Sequence, residues 1–153
     1  MKTKSILLTV ALTVASGALC FGSPEMGVWH LNEGKSKFAP GSPKNSIVVY
    51  APAGDSVKVT VDGVDKDGKA AHNEWTGKFD GKDYPVTGDP NADTRSYKRI
   101  DEHTLELTNK KAGKVVVSGR VVVSTDGKTR TVSLSVTNAD GKQVESTAVY
   151  DKK

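Results

Sequence analysis

The sequence predicts an all-β protein: an antiparallel up-and-down meander of about ten strands that closes into a barrel. Three observations predict it. The triplet Asp-Gly-Lys occurs at 67–69, 80–82, 126–128 and 140–142, with Ala112-Gly113-Lys114 as a variant. Asp-Gly accepts the positive φ angles of a type I′ turn, whose twist matches that of the strands it joins, so each triplet marks a hairpin. The runs between the triplets alternate apolar and polar residues with a period of two, and no window of helical length beyond the first twenty-odd residues shows a period of 3.6.

The expected strands follow in order. Residues 27–32 hold Gly27-Val28-Trp29, and 46–51 are rich in β-branched and aromatic residues. Residues 56–63 set Val57, Val59 and Val61 against Lys58 and Thr60, and 69–79 set Ala71, Trp75 and Phe79 against His72, Glu74, Thr76 and Lys78. Residues 83–87 form a short strand, and 94–100 carry Arg95, Tyr97 and Arg99 on one face. Residues 103–110 alternate Leu105 and Leu107 with Glu106, and 114–124 are valine-rich. Residues 129–138 place Val132, Leu134 and Val136 opposite Ser and Thr, and 142–151 close the set. Glu33–Lys44, with two Pro and two Gly, and Gly88–Asp93 read as loops. Closure removes the sheet edges that invite aggregation, which favours a barrel; a β-sandwich is the alternative, since alternation alone does not separate the two.

The N-terminus opens Met1-Lys2-Thr3-Lys4, runs apolar from Ile6 to Ala15 and exits through small residues to Gly22, the parts of a secretory signal peptide. The domain expectation is therefore a signal over 1–22 and one β-barrel domain over 23–153, exported to the periplasm or beyond and monomeric. The apolar run is shorter than the roughly 20 residues that a membrane-spanning helix needs, and no later stretch approaches that length. A rival reading makes Cys20 a lipid-anchored cysteine, although Leu19 before it is larger than that processing prefers. Cys20 is the only cysteine, so a chain cut after it holds no thiol or disulfide and depends on packing. Lys2 and Lys4 leave with the signal, so 20 basic residues then face 18 acidic ones and the formal charge falls from +4 to +2. Lysines and acids alternate along the chain. No basic stripe with interleaved aromatics suggests a nucleic-acid partner.

Gly27-Val28-Trp29 near the start and Ser146-Thr147-Ala148-Val149-Tyr150-Asp151 at the end resemble the first and last strands of the calycins, the lipocalin and fatty-acid-binding-protein group. The resemblance implies a barrel whose Trp29 plugs the closed end, and length and strand count fit it. Two departures limit it. Glu33–Lys44 is too short for the two helices of fatty-acid-binding proteins, and Ala148 stands where their closing strand usually carries a ligand-gripping Arg. The chain also resembles small uncharacterised exported bacterial proteins that open with Gly-x-Trp.

Arg95, Tyr97 and Arg99, if inward, can bind an anionic head group, because guanidinium forks pair with carboxylates or phosphates. The opposite face, Ser96, Lys98 and Ile100, is scarcely more apolar, so alternation does not settle the direction and an outward, solvated face is the competing reading. Trp75, Phe79 and Tyr84 can line an apolar pocket or simply fill the core. His72 and Glu74 share a face, but a metal site needs further ligands. The polar Gly88–Asp93 segment reads as a tight turn rather than a calcium loop. No Gly-x-Ser-x-Gly elbow or buried carboxylate pair suggests catalysis. The expectation is thus a non-enzymatic barrel, without metal or cofactor, that binds a small apolar or amphiphilic molecule. The alternative is a cell-envelope interaction or structural module with a filled core.

Overall fold

The computed structural model describes residues 22–153, so the expected signal segment and Cys20 lie outside the described residues, except for Gly22. Ten strands follow one another: β1 (Gly27–Leu31), β2 (Lys44–Ala53), β3 (Ser56–Val64), β4 (Ala70–Gly77), β5 (Tyr84–Thr87), β6 (Thr94–Asp101), β7 (Thr104–Lys111), β8 (Lys114–Val123), β9 (Thr129–Thr137) and β10 (Gln143–Lys152). The only helical piece among the described residues is one 3₁₀ turn, Glu33–Lys35, in the loop between β1 and β2. Each strand pairs antiparallel with its sequence neighbour, and β1 also pairs with β10 through Trp29 opposite Lys152 and Leu31 opposite Tyr150. The ring is closed, which excludes the sandwich and matches the up-and-down barrel expected. Every strand boundary falls within two residues of its expected position.

The alternation sorts the strands as expected, with Val57, Val59, Val61, Leu105, Leu107, Val121, Val123 and Val132 buried inside. A register shift between Asn109 and Lys110 breaks the phase of β8, and Val115 next to it lies exposed although it belongs to the valine run. An extra residue on one strand of a pair moves its side chains to the other face.

The turns differ from expectation in type. In three triplets the glycine N–H donates to the carbonyl three residues earlier: Gly68 to Asp65 (3.1 Å), Gly127 to Ser124 (2.8 Å) and Gly141 to Asn138 (3.0 Å). Only the glycine has a positive φ in each, whereas a type I′ turn needs two such residues. These are type I turns ended by a left-handed glycine. In two of the three the residue opening the turn explains the choice. The Asp65 carboxylate accepts from the N–H groups of Asp67 and Lys69, and the Asn138 side-chain oxygen from those of Asp140 and Lys142, holding a type I conformation from outside. Ala112-Gly113 is the pair with positive φ at both positions, 48° and 76°.

The fourth triplet, Asp80-Gly81-Lys82, is part of the barrel wall. Gly81 N–H donates to the Tyr97 carbonyl (2.9 Å) and Arg99 N–H to the Phe79 carbonyl (3.1 Å). β5 spans four residues, with two register pairs to each neighbour, and segment 79–81 covers β6 where β5 does not reach.

Candidate functional site

Two ends of the barrel differ in character. At the end beside residues 22–26, Trp29 is fully buried and its indole Nε1 donates to the Glu25 carbonyl (2.7 Å). Lys152 lies over the Trp29 ring, 5.0 Å from its centre, and donates to the Pro24 carbonyl (3.2 Å). Residues 22–26 thus cover this end, with Trp29 as the plug that the family resemblance implies.

Above the plug lies an aromatic layer. The Trp75 ring is stacked on Phe79 (centres 6.5 Å apart) and meets Tyr84 and Tyr97 edge-on at 5.8 and 4.9 Å. Tyr50 meets Phe79 and Tyr97 edge-on at 6.5 and 6.2 Å. These are the geometries that aromatic quadrupoles favour. Gly77 makes the layer possible, because a Cβ there would lie 2.6 Å from ring atoms of Trp75 and Tyr84. Trp75, Phe79 and Tyr84, expected to line a pocket or fill the core, pack here against one another.

Arg95, Tyr97 and Arg99 all point into the barrel. Arg95 is buried, with Nε donating to Asn109 (3.0 Å), Nη1 to Asn73 (3.2 Å) and Nη2 lying 3.6 Å from the Asp89 carboxylate. Asp89 belongs to the Gly88–Asp93 turn, which also places Ala92 in the core. Arg99 forms a two-pronged pair with the fully buried Glu25 carboxylate (2.6 and 3.1 Å) and lies over Phe79. The two guanidiniums are therefore held by acids of the chain itself. The face is inward, and its charges are matched.

Several interior residues are not singled out by the sequence, among them Glu25, Tyr50, Asn109 and Arg130, the last opposite Tyr150 in the β9–β10 register. Arg130 is 4% exposed. Its guanidinium carbon lies 4.8 Å from the Tyr150 ring centre and 5.1 Å from that of Tyr50, and Nη2 donates to the Tyr50 hydroxyl (2.9 Å). Among the described residues, Nε and Nη1 have no hydrogen-bond partner. Burial pushes the Tyr50 hydroxyl well above the usual tyrosine range, against the pull of Arg130, and burial also raises Tyr150. A signal for Arg130 existed: it is in phase with Val132, Leu134 and Val136, the apolar face of its strand.

The opposite end is covered less closely. Val117, Leu134, Val136 and Val144 lie in register on the inward faces of β8, β9 and β10, yet each is only half-buried. The wall that continues from it is polar, with Asn109 paired to Val117 and bonded to Arg95, which also reaches Asn73.

The remaining candidates are surface features. His72 lies outside the barrel, its Nδ1 2.6 Å from the Asp62 carboxylate, and that hydrogen bond raises the His72 pKa. Glu74 pairs with Lys58 at 2.9 Å, which lowers its pKa. Among the described residues, no three His, Cys, Asp or Glu gather as a metal cage would require. A shallow cleft of about 310 Å³ beside the plug is lined by Ser23, Asp55, Lys78, Phe79, Asp80 and Arg99.

No family model and no curated protein matches the chain. It is similar to a solved redesigned β-barrel, mFAP1, bound to DFHBI, with 14% identity over 84% of this chain and 95% of that one and a TM-score of 0.47. It is also similar to EF1p2_mFAP2b bound to DFHBI, with 9% identity over 85% and 94% of the two chains and a TM-score of 0.47.

Proposed function

We propose that this chain is an exported, non-enzymatic barrel that binds a small apolar or amphiphilic molecule through its open end. The observation that carries this is the inward, half-buried aliphatic wall of Val117, Leu134, Val136 and Val144. Apolar side chains on a barrel's inner face normally contribute by being covered, at roughly 25 cal/mol per Å² removed from water. These four retain part of that gain for a guest. Small-molecule sites are commonly apolar with a few polar fixtures, which Asn73, Arg95 and Asn109 beside this wall supply.

A second reading, a filled barrel acting as an envelope interaction or structural module, is favoured by the mutual packing of Trp75, Phe79, Tyr97 and Tyr50. Titration with the neutral dye Nile red, with native mass spectrometry of protein purified from its own host, separates the two. Saturable binding at one site per chain, or a co-purified lipid-sized mass, supports the ligand-binding barrel. A bare mass with no saturable binding favours the filled barrel. Export is tested by N-terminal sequencing of the mature protein. Ser23 is the expected first residue, and a retained Met1 or a lipid-modified Cys20 would contradict it.

A further inference from the structure

The cleft of about 310 Å³ beside the plug gathers charges from separate parts of the fold. Asp55 comes from the β2–β3 turn, Lys78 and Asp80 from the chain after β4, Arg99 from β6, and Ser23 lines the same cleft. Both cations are already matched: Arg99 holds the buried Glu25 carboxylate at 2.6 Å, and Lys78 lies 2.8 Å from Asp55. The Asp80 carboxylate accepts from the Lys82 N–H (3.0 Å) and the Tyr84 hydroxyl (2.9 Å), but among the described residues no basic side chain comes within 4.0 Å of it. Lys82 beside it, Lys98 across the bridge from it and Lys152 on β10 stand outside the lining of the cleft. Three carboxylates, Glu25, Asp55 and Asp80, therefore face two cations.

The segment that carries Ser23 is fixed at each following residue. Lys152 donates to the Pro24 carbonyl (3.2 Å), Glu25 is fully buried, and Met26 N–H donates to the Ser23 carbonyl (3.0 Å). Gly22 is exposed, and a Cβ on it would meet nothing within 4 Å. The cover of the plug is thus built from Ser23 onward, and the bond before Ser23 is the one at which signal cleavage is expected.

We propose that this cleft receives the mature chain's own α-ammonium, freed at Ser23 by cleavage after Gly22 and paired there with the Asp80 carboxylate. Water adds across the Gly22–Ser23 amide; the departing signal keeps the new Gly22 carboxylate, and Ser23 keeps the nitrogen as an ammonium. The inference rests on the export reading above and extends it. The new cation makes three against three. It comes from a backbone already held in place, so little ordering entropy opposes the pair.

The test uses protein purified from its own host, the same protein selectively acetylated at its α-amino group, and Asp80→Asn. An NMR titration read at the Ser23 Cα–H should place the α-amino midpoint about one unit above its ordinary value of about 7.7–8.0, and Asp80→Asn should return it towards that value. A raised folded-state pKa adds stability that is fully present below the unfolded value and is lost as pH rises through the folded one. At about pH 6 the free-amine protein should therefore unfold about 3–6 °C above the acetylated one, and at about pH 11 the two should coincide. The acetylation comparison needs no substitution in the barrel wall. An ordinary α-amino midpoint, or equal stability of the two forms at about pH 6, overturns the inference and leaves the export reading standing. A retained Met1 overturns both, and a lipid-modified Cys20 at the start of the mature chain overturns the inference alone.

Discussion

Arg99 and Arg130 enter the same interior, yet their replacement by Met should shift stability in opposite directions. Arg99 neutralises the fully buried Glu25, so Arg99→Met strands a carboxylate at the plug. Losing one partner of a buried pair costs about 3–5 kcal/mol, and partial exposure of Arg99 places this case near the lower bound. Arg130 meets no carboxylate among the described residues, so Arg130→Met should leave stability unchanged or raise it by about 1–4 kcal/mol. Urea unfolding of the two variants measures both signs. A strongly destabilised Arg130→Met would contradict that sign.

His72 and Asp62 stand directly opposite each other on the outer faces of β4 and β3, and the pair carries a pH dependence. The Asp62 hydrogen bond raises the His72 pKa above its ordinary value of about 6.5. A raised folded-state pKa contributes stability that is fully present below the unfolded value and is lost as pH rises through the folded one. An NMR titration should therefore place the His72 midpoint above that of a free histidine, and Asp62→Asn should return it towards the free value. A second element-scale expectation concerns β5. It has four residues, a proline at Pro85 and two register pairs on either side, so it should be the least protected strand in amide exchange. Faster exchange at β2 or β3 than at Val86 would contradict that. The β5 neighbourhood also shows what sequence could not reveal. Asp80-Gly81-Lys82 has the same letters as the hairpin triplets, but its glycine donates to Tyr97, a pairing set by tertiary distance rather than by local turn chemistry.

The barrel itself was legible because alternation and turn residues act locally, and strands joined in order close with few alternatives. The interior was less legible. Arg95, Tyr97 and Arg99 lie on a strand whose two faces have nearly equal polarity, so their direction depends on partners far away in sequence. Glu25, which takes up Arg99, lies 74 residues upstream, and no spacing rule links the two. Arg130 was readable from its phase with Val132, Leu134 and Val136, but a charged residue beside a turn invites a solvent reading. Trp29 behaved as its resemblance implied because plugging an end needs only bulk and one hydrogen bond. The central claim, that the half-buried aliphatic wall of this barrel receives a small apolar or amphiphilic molecule, is tested most directly by methyl NMR during titration with Nile red. The account predicts saturable shifts at the methyls of Val117, Leu134, Val136 and Val144. Shifts confined to the exposed outer residues Ile100, Val115 and Val122, with the inner wall silent, would contradict it.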